Sequence, residues 1–273
     1  MRRIDRLWKI LTSGSFSLTG KRDLLRVLLS RRDKIKSLFP IRLPAGKAFV
    51  DGQNAAADFQ VLAQVFLDEV YGKLEFQDRI VIDVGAHKGY FAAYALISGA
   101  KAVLSYEPEV VNFSCLARFA GSAKLHGQAI QISQAAVSDT DGEVALYLSP
   151  ESWAHSILQG QGLSPKNSLR VRSYSLASIL RKAEKEFLGR ELILKIDAEG
   201  VECPLLLNTP AECFAAVKEV VFEYHVFSGC DLRIILDRLQ SLGFEYVASI
   251  RDADLHHFRS SANASIGTIK HKL

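Results

Sequence analysis

The sequence predicts a doubly wound α/β protein built on a mostly parallel sheet. Residues 80–84 form a largely apolar run that leads, through a turn bounded by Gly85 and Gly89, into an apolar segment typical of a helix. A second apolar run, residues 101–106, ends in Glu107 and is also followed by a helical pattern. Because strand-like and helix-like segments continue to alternate, we expect helices on both faces of one sheet.

The first 50 residues are strongly basic, with 13 Lys and Arg against 3 Asp and Glu, a net charge of +10. Leucines recur near helical spacing over residues 21–39, which predicts a basic amphipathic helix. Such a helix packs its leucines on the domain or lies on an anionic membrane surface, and we favour packing. Pro40 and Pro44 should end the helix and leave a linker to Asp51.

Periodicity and stop signals predict the remaining elements. Helical spacing predicts helices at residues 58–71, 90–97, 109–120, 175–186 and 231–242, the last of which stops at Gly243. Apolar runs predict further strands at residues 129–137, 191–196, 217–222, 244–250 and 255–259. Residues 143–148 and 169–174 alternate as in an inserted hairpin. The Ser- and Gly-rich residues between them, 149–167, are a candidate lid or substrate loop.

Composition and cysteine usage fit one main domain with an extension. Of the 273 residues, 48% are hydrophobic and 23% are charged, which is ordinary for a globular protein. The four cysteines show no C-x-x-C spacing, so we expect reduced thiols in a cytoplasmic protein. No apolar run reaches the length of a membrane span. We expect a basic helical extension at residues 1–50, the main domain at 51–260 and a flexible tail at 261–273.

Acidic residues recur at predicted strand ends, namely Asp83, Glu107, Asp139, Asp197 and Glu223. Sheets of this kind bind ligands at the carboxyl ends of their strands, although an acid there can also cap a helix. Glu107 lies 24 residues after Asp83, where a nucleoside ribose would offer its hydroxyls. The turn has neither the G-x-G-x-x-G pattern of dinucleotide sites nor a P-loop pattern. A nucleoside cofactor without a pyrophosphate group therefore fits best.

The order of these motifs resembles the FkbM family of S-adenosylmethionine-dependent methyltransferases. The matching segments are residues 82–91, 106–108 with Asn112, Phe113 and Leu116, 136–139 with Asp141 and Gly142, 194–202, and 223–225. The resemblance covers about residues 58–250 and leaves the first 50 without a counterpart. His87 and Ala198 stand where the family usually has Asn and Val.

The resemblance implies a class I methyltransferase fold, with seven strands of which the last is antiparallel, and S-adenosylmethionine as the cofactor. The cofactor-binding residues that it implies are Asp83, Gly85, His87, Gly89, Glu107, Pro108, Ser138 and Asp139. The two glycines would lie under the methionine part of the cofactor. Glu107 would bind both ribose hydroxyls, and Ser138 with Asp139 would meet the adenine edge.

The family is associated with O-methylation, often of sugars or polyketide-type natural products, so a small-molecule or glycan acceptor is implied. The candidate catalytic residues are Asp197, Glu199 and His225, which would cluster where the methyl group is presented. His225 has the pKa range of a general base, whereas Asp197 could instead hold a divalent cation that acidifies the acceptor hydroxyl. We assign no metal ligand.

Two other functions stay open at this point. An RNA methyltransferase could grip phosphates with the basic first 50 residues. The chain has no Asn-Pro-Pro-Tyr-like tetrapeptide and no recognisable RNA-binding motif, so we expect no nucleic acid partner. A non-enzymatic protein could contact membrane surfaces through its N-terminal helix, but the complete set of strand-end acids favours an enzyme.

Overall fold

The computed structural model describes residues 3–14, 16–29, 38–159, 163–226, 229–251 and 255–261. Its helices are α1 (Arg3–Thr12), α2 (Leu18–Leu29), α3 (Ala55–Phe66), α4 (Tyr90–Ile97), α5 (Val110–Ser122), α6 (Leu176–Glu186), α7 (Glu202–Asn208) and α8 (Leu232–Ser241), with a 3-10 turn at Ala211–Phe214. Its strands are β1 (Phe39–Leu43), β2 (Gly46–Val50), β3 (Ile80–Val84), β4 (Ala102–Tyr106), β5 (Ala129–Ser133), β6 (Ala136–Ser138), β7 (Gly142–Tyr147), β8 (Ser168–Ser175), β9 (Leu192–Ile196), β10 (Val217–Glu223), β11 (Phe244–Arg251) and β12 (Leu255–Ser260).

Seven of the described strands form the central sheet, in the order β11-β12-β10-β9-β3-β4-β5. The strands from β10 to β5 pair in parallel, whereas β12 runs antiparallel to both β10 and β11. The expected class I methyltransferase fold is therefore confirmed. From β3 the chain adds β4 and β5 on one side, and it then returns to add β9 and β10 on the other side of β3. This topological switch point places a crevice at the carboxyl ends of β3 and β9.

Helices cover both faces of the central sheet. The strands β3, β4 and β9 are buried along their whole length, which is why they read as nearly continuous apolar runs. Successive residues of β3 alternate between two cores: Val81 packs with α3 and α4, while Ile80 and Ile82 pack with α6 and α7.

The N-terminal segment packs on this domain. Ile10 of α1 and Leu24 of α2 are buried in the same core as Phe66 of α3. The amphipathic helix predicted over residues 21–39 corresponds to α2, which ends at Leu29 in the described part of the chain. Residues 30–37 lie outside that part, and Phe39 begins a strand, so the predicted end of the helix is wrong.

The predicted linker before Asp51 is also wrong, because β1 and β2 form an antiparallel hairpin there. Alternate residues of the hairpin are buried, namely Ile41, Leu43, Ala48 and Val50. This period of two is that of a strand pair with one face on a core. Pro40 is tolerated because a two-stranded ribbon has free edges, where a missing backbone N–H is not needed.

The strand predicted over residues 129–137 is divided between two sheets. β5 ends at Ser133 in the central sheet, whereas β6 joins β7 and β8 in a three-stranded sheet. The predicted hairpin is confirmed, since β7 and β8 pair antiparallel. Ser138 is the last residue of β6 and Asp139 follows it, so the prediction that they stand at the end of a central strand is wrong.

The prediction of four reduced cysteines is wrong for two of them. Cys203 and Cys230 form a disulfide bond, whereas Cys115 and Cys213 are free and buried. The two bonded residues are 27 positions apart, and only the packing of the segment before α8 on α7 brings them together. Among the described helices, none has the length and apolar character needed to cross a membrane. Of the tail predicted to be flexible, residues 261–273, the structure describes only Ser261.

Candidate functional site

A cavity of about 560 Å³ opens at the carboxyl ends of β3, β4, β9 and β10. Its wall is completed by α3 and by the loop between β7 and β8. The predicted site residues that line it are Gly85, His87, Glu107, Pro108, Asp197, Glu199 and His225. Its volume is within the usual range of small-molecule sites, and it lies where doubly wound sheets bind their ligands.

The two glycines of the turn after β3 are required by the protein's own packing. Gly85 has a φ of +73°, and a Cβ atom there would come within 1.9 Å of the carbonyl oxygen of Asp197. Gly89 has a φ of +84°, and its Cβ would come within 2.8 Å of Leu116 on α5. Gly85 lines the cavity, but Gly89 does not, so the structure gives Gly89 a packing role.

Asp83 lies beneath the cavity and pairs with Lys195. The two residues face each other in the register of β3 and β9, and the Lys195 Nζ atom is 3.1 Å from Asp83 Oδ1. Lys195 also donates to the carbonyl oxygens of Val84, at 3.2 Å, and Gly85, at 2.7 Å. Burial opposes the charge of Lys195, but the carboxylates of Asp83 and Asp197 raise its pKa. Asp83 therefore helps to fix the turn indirectly, by holding Lys195 against the carbonyl oxygens of Val84 and Gly85. The side chain of Asp83 does not line the cavity.

Glu107 holds a buried carboxylate at the end of β4. Its Oε2 accepts a hydrogen bond from the His87 backbone N–H at 2.8 Å, and its Oε1 accepts one from Glu109 at 2.9 Å. Burial raises the pKa of Glu107 to about 7, although both backbone hydrogen bonds act against this shift. Each oxygen retains a lone pair beyond the one that the backbone uses, so the carboxylate can accept from two neighbouring hydroxyls.

Two polar atoms beside Glu107 are buried without a hydrogen-bond partner in the described chain, His87 Nδ1 and Asn112 Oδ1. The other ends of these side chains contact Ser152 of the loop after β7, through His87 Nε2 at 3.3 Å and Asn112 Nδ2 at 2.7 Å. Burial, together with the charge of Lys88, lowers the pKa of His87 well below its ordinary value, so the ring is neutral. A polar ligand would satisfy both orphaned atoms.

Ser138 and Asp139 lie outside the cavity. The Ser138 hydroxyl donates to the Thr140 carbonyl at 2.8 Å and contacts the Ser173 hydroxyl at 2.7 Å, and Asp139 is exposed. The residues that reach the cavity from this side are Ala136 and Val137. The adenine contact expected of Ser138 and Asp139 is not supported by their position, because β6 turns away from the central sheet.

Three carboxylates from β9 and β10 face the other end of the cavity, those of Asp197, Glu199 and Glu223. Glu199 has a φ of +54°, which is unusual for a residue with a side chain and is typical of functional turns. The Ser156 hydroxyl fixes this turn by donating to the Glu199 carbonyl at 2.6 Å. Burial raises the pKa of Glu199 to about 8 despite the opposing charge of His225.

His225 lies between two carboxylates. Its Nε2 is 3.4 Å from Glu199, and its Nδ1 is 3.1 Å from the fully buried Glu202 of α7. Burial would lower the pKa of His225, but the hydrogen bond and charge of Glu202, with the charge of Glu199, raise it to about 10. These contacts favour the imidazolium form of His225 at neutral pH and argue against the role of general base that was expected of it.

The cavity wall is acidic. Four carboxylates line it, those of Glu107, Asp197, Glu199 and Glu223, whereas no Lys or Arg among the described residues does. In the described chain, no group of three or more His, Cys, Asp and Glu side chains is arranged to hold a metal ion. The geometry thus favours ligands that carry positive charge or hydroxyl groups.

Several residues of this site were not among those predicted from the sequence. Lys195 and Glu202 lie in segments that match the family, and a charged residue within a buried strand was the available signal for Lys195. Trp153 and His155 line the cavity from the loop predicted as a candidate lid. Gln60, Gln64 and Tyr71, on and after α3, also line it, and nothing in the sequence distinguished them from other surface or core positions.

Comparisons with known proteins find one matching family and several distantly similar structures. A sequence profile of the methyltransferase FkbM domain matches residues 83–246. An FkbM methyltransferase from Methylobacillus flagellatus is 13% identical in sequence, and the match covers 94% of this chain and 59% of that one with a TM-score of 0.46. Magnesium protoporphyrin IX methyltransferase from Synechocystis, solved with bound SAM, is 11% identical, with 94% and 91% coverage and a TM-score of 0.38.

A curated relative is the AMB antimetabolite synthetase AmbE of Pseudomonas aeruginosa, which is 27% identical over 70% of this chain. The chain spans only 10% of the length of AmbE, so the activity of that much larger protein is not transferred to it. The FkbM profile, by contrast, covers more than half of the 273 residues and includes the turn after β3, Glu107 and the acidic segments after β9 and β10. The chain therefore belongs to the FkbM methyltransferase family.

Proposed function

We propose that the protein transfers a methyl group from S-adenosylmethionine to a hydroxyl of a sugar or another small natural product. The observation that supports this proposal most is that different acidic residues line the two ends of the cavity. Glu107 marks one end with a buried carboxylate suited to a ribose. Asp197, Glu199 and Glu223 mark the other end with acidic groups suited to positive charge and to proton removal.

The residues present fit S-adenosylmethionine. Glu107 would accept the ribose hydroxyls, and the orphaned atoms of His87 and Asn112 would meet polar groups of the same ligand. When bound, the cofactor supplies a methyl group on a positively charged sulfur. Asp197 and Glu223 favour that charge, because opposite charges attract strongly in a partly buried cavity, whereas Glu199, with a pKa of about 8, is mostly protonated at neutral pH.

Proton removal from the acceptor falls to a carboxylate of the acidic wall. His225 is held as an imidazolium between Glu199 and Glu202 and has no free basic nitrogen at neutral pH. Asp197 follows β9 directly, lines the cavity and has 29% of its side chain accessible, against 14% for Glu199. We therefore assign proton removal to Asp197, with Glu199 as its neighbour.

The acceptor would lie against α3. Gln60 and Gln64 bring amide groups to the cavity, next to the apolar surface of Val61 and the ring of Tyr71. α3 is fixed to the turn after β3 by the fully buried ion pair of Asp58 with Lys88, in which the Lys88 Nζ atom is 2.6 Å from the carboxylate. Amide groups beside apolar and aromatic surface suit an uncharged, hydroxylated molecule better than a phosphorylated one.

Calorimetric titration with S-adenosylmethionine tests the proposal, followed by a screen of hydroxylated acceptors for transfer of a labelled methyl group. Binding of the cofactor with no transfer to any hydroxyl would contradict the O-methyltransferase assignment. A protein that does not bind the cofactor would fit the non-enzymatic alternative. Binding of RNA that weakens as salt rises, with methylation of that RNA, would favour the RNA alternative. The cytoplasmic location stays a prediction.

A further inference from the structure

The segment after β10 carries three residues that line the cavity, Tyr224, His225 and Val226. Of these, Val226 is 85% exposed, so apolar packing does little to hold the segment at that point. The Tyr224 hydroxyl donates to the carbonyl of Cys230 at 2.8 Å. We refer to residues 224–226 together with 229 and 230 as the His225 loop; residues 227 and 228 lie outside the described chain.

Two connections join the His225 loop to the start of α7. The first is the charged hydrogen bond between His225 Nδ1 and Glu202 Oε1, at 3.1 Å. The second is the disulfide between Cys203, the residue after Glu202, and Cys230, the last residue of the loop. A covalent and an electrostatic connection thus run side by side between the same two segments.

The hydrogen bond between His225 and Glu202 forms only while the His225 loop lies on α7. Glu202 is fully buried, and its Oε1 also accepts from the Gly200 backbone N–H at 3.2 Å. A buried carboxylate is strongly destabilising when its cation moves away, so His225 and Glu202 favour each other only while the loop stays on α7. A disulfide that joins this loop to α7 restricts the other positions that the loop can take and keeps the pair in place.

We propose that the Cys203–Cys230 disulfide is a positioning element of the site: it holds the His225 loop on α7 and so presents His225 to the acidic end of the cavity. This proposal depends on the proposed function in one respect: it takes the acidic end of the cavity as the place of methyl transfer. Reduction releases the loop at Cys230 and leaves the Glu107 end of the cavity unchanged. The protein is therefore sensitive to the thiol–disulfide state of its surroundings.

The redox step is a thiol–disulfide exchange. To form the bond, the Cys203 and Cys230 thiols give up two protons and two electrons to a low-molecular-weight or protein disulfide, which becomes two thiols. To break it, a dithiol such as dithiothreitol supplies the same two electrons and two protons and becomes a cyclic disulfide.

A thiol count tests whether the bond forms. The full-length protein is unfolded in guanidinium with an alkylating reagent and weighed intact, with and without prior reduction. We expect two alkylations without reductant, at Cys115 and Cys213, and four after reduction. Four alkylations without reductant would overturn the proposal.

A second measurement follows the His225 ring by NMR of histidine-labelled protein. The signal of this ring is identified as the one that is missing from the spectrum of the His225→Gln variant. We expect Cys230→Ser to shift this signal, and Cys213→Ala, a matched change at a buried free cysteine, to leave it in place. If Cys230→Ser does not fold, the parent is compared before and after reduction. An unmoved His225 signal would overturn the proposal.

Calorimetry separates this proposal from the proposed function. The dissociation constant for S-adenosylmethionine should change by less than about threefold on reduction, because Glu107 belongs to other elements. A larger loss would show that the disulfide supports the whole cavity and not the His225 loop alone. A parent protein that binds no cofactor but shows the shifted His225 signal would disprove the methyltransferase assignment and leave the positioning role standing.

Discussion

We expect recognition of the cofactor to depend most on Glu107, because both of its oxygens are oriented by backbone N–H groups before any ligand binds. Such preorganisation means that binding does not have to order the carboxylate. Hydrogen bonds to an ionised acceptor are also stronger than neutral ones. The raised pKa of Glu107, about 7, is the physical cost of holding this group ready in a buried place.

We predict that Glu107→Ala weakens binding of S-adenosylmethionine by about 2–4 kcal/mol, on the order of a hundredfold, because two buried hydroxyls lose their acceptor. Calorimetric titration measures the change. Asp139→Ala serves as the control, since Asp139 is exposed and outside the cavity, and its dissociation constant should match that of the parent. An unchanged constant in a folded Glu107→Ala protein would remove Glu107 from the site.

At the methyl-transfer end, we predict that Asp197→Asn keeps cofactor binding within a few-fold of the parent but lowers turnover at least about a hundredfold, the range typical of a lost general base. The substitution preserves shape and removes charge. Turnover is measured on an acceptor found by the screen, with the melting temperature as the folding control. Near-normal turnover would assign proton removal to another group, first of all Glu199.

The cation alternative for Asp197 has a separate test. If Asp197 holds a divalent cation that acidifies the acceptor hydroxyl, EDTA should abolish turnover in the parent and an added divalent metal should restore it. Full activity in the presence of the chelator would leave proton removal by the carboxylate as the explanation.

At the scale of elements, the N-terminal helices and the β1–β2 hairpin behave as part of the domain. Leu24 of α2 is 1% exposed, whereas Leu29 at the end of the same helix is 56% exposed. The pair offers a matched comparison within one helix. We predict that Leu24→Ala lowers the free energy of unfolding by about 2–4 kcal/mol, while Leu29→Ala changes it by less than about 0.5 kcal/mol. Denaturant unfolding followed by circular dichroism measures both.

The same packing predicts the result of removing residues 1–50. The truncation deletes the hairpin and the helices that cover α3, so it should expose apolar surface, lower the melting temperature and promote aggregation. Binding of the full chain to anionic vesicles, released by high salt, would instead indicate a membrane contact. Vesicle binding that disappears on truncation, with an unmoved melting temperature, would contradict packing as the role of this segment.

Elements with a strong local pattern were predictable from the sequence, and elements defined by long-range contacts were not. β3, β4 and β9 are apolar runs with acids or a turn at their ends, and α6 begins at the capping residue Ser175. The division between β5 and β6 depends on pairing with β8, more than 30 residues away, which local propensity does not encode. The β1–β2 hairpin was hidden by two prolines that ordinarily signal a loop.

The grouping of acidic residues at the strand ends was predictable from the sequence for a related reason. Parallel strands bring their carboxyl ends to one edge, so Asp197, Glu199 and His225 could be expected together without knowledge of side-chain geometry. The protonation state of His225 could not, because it depends on Glu202, which reaches the ring from a helix. The same limit applies to Cys203 and Cys230, whose approach is a property of the packed fold.

At the scale of the whole molecule, the N-terminal segment and the rest of the chain carry net charges of opposite sign. Residues 1–50 carry a net charge of +10, while the remaining residues carry 21 basic and 27 acidic side chains, a net charge of −6. The acidic excess includes the carboxylates of the cavity, several of which are buried with raised pKa values. The stability of the fold is therefore coupled to pH through the site itself.

We predict that the melting temperature falls as pH rises from 7 to 10. The folded pKa of His225 is raised to about 10 from an ordinary 6.5, so its stabilising effect is complete below pH 6.5 and is lost as pH approaches 10. Glu199 acts in the same direction: its folded pKa, about 8, exceeds the ordinary 4.5, so ionisation of the buried group destabilises the fold as pH rises towards 8. The two shifts together amount to about 5 kcal/mol between pH 7 and 10, so at about 2–4 °C per kcal/mol the combined fall should be on the order of 10 °C.

Differential scanning calorimetry of the parent and of the double variant His225→Gln with Glu202→Gln isolates the contribution of the site. The double variant removes the imidazolium together with its buried partner, so no unpaired charge is left behind. Its melting temperature should depend less on pH between 7 and 10, because the remaining titrating groups are common to both proteins. Equal slopes in the two proteins would show that His225 is not held as an imidazolium, and proton removal would then have to be reassigned to it.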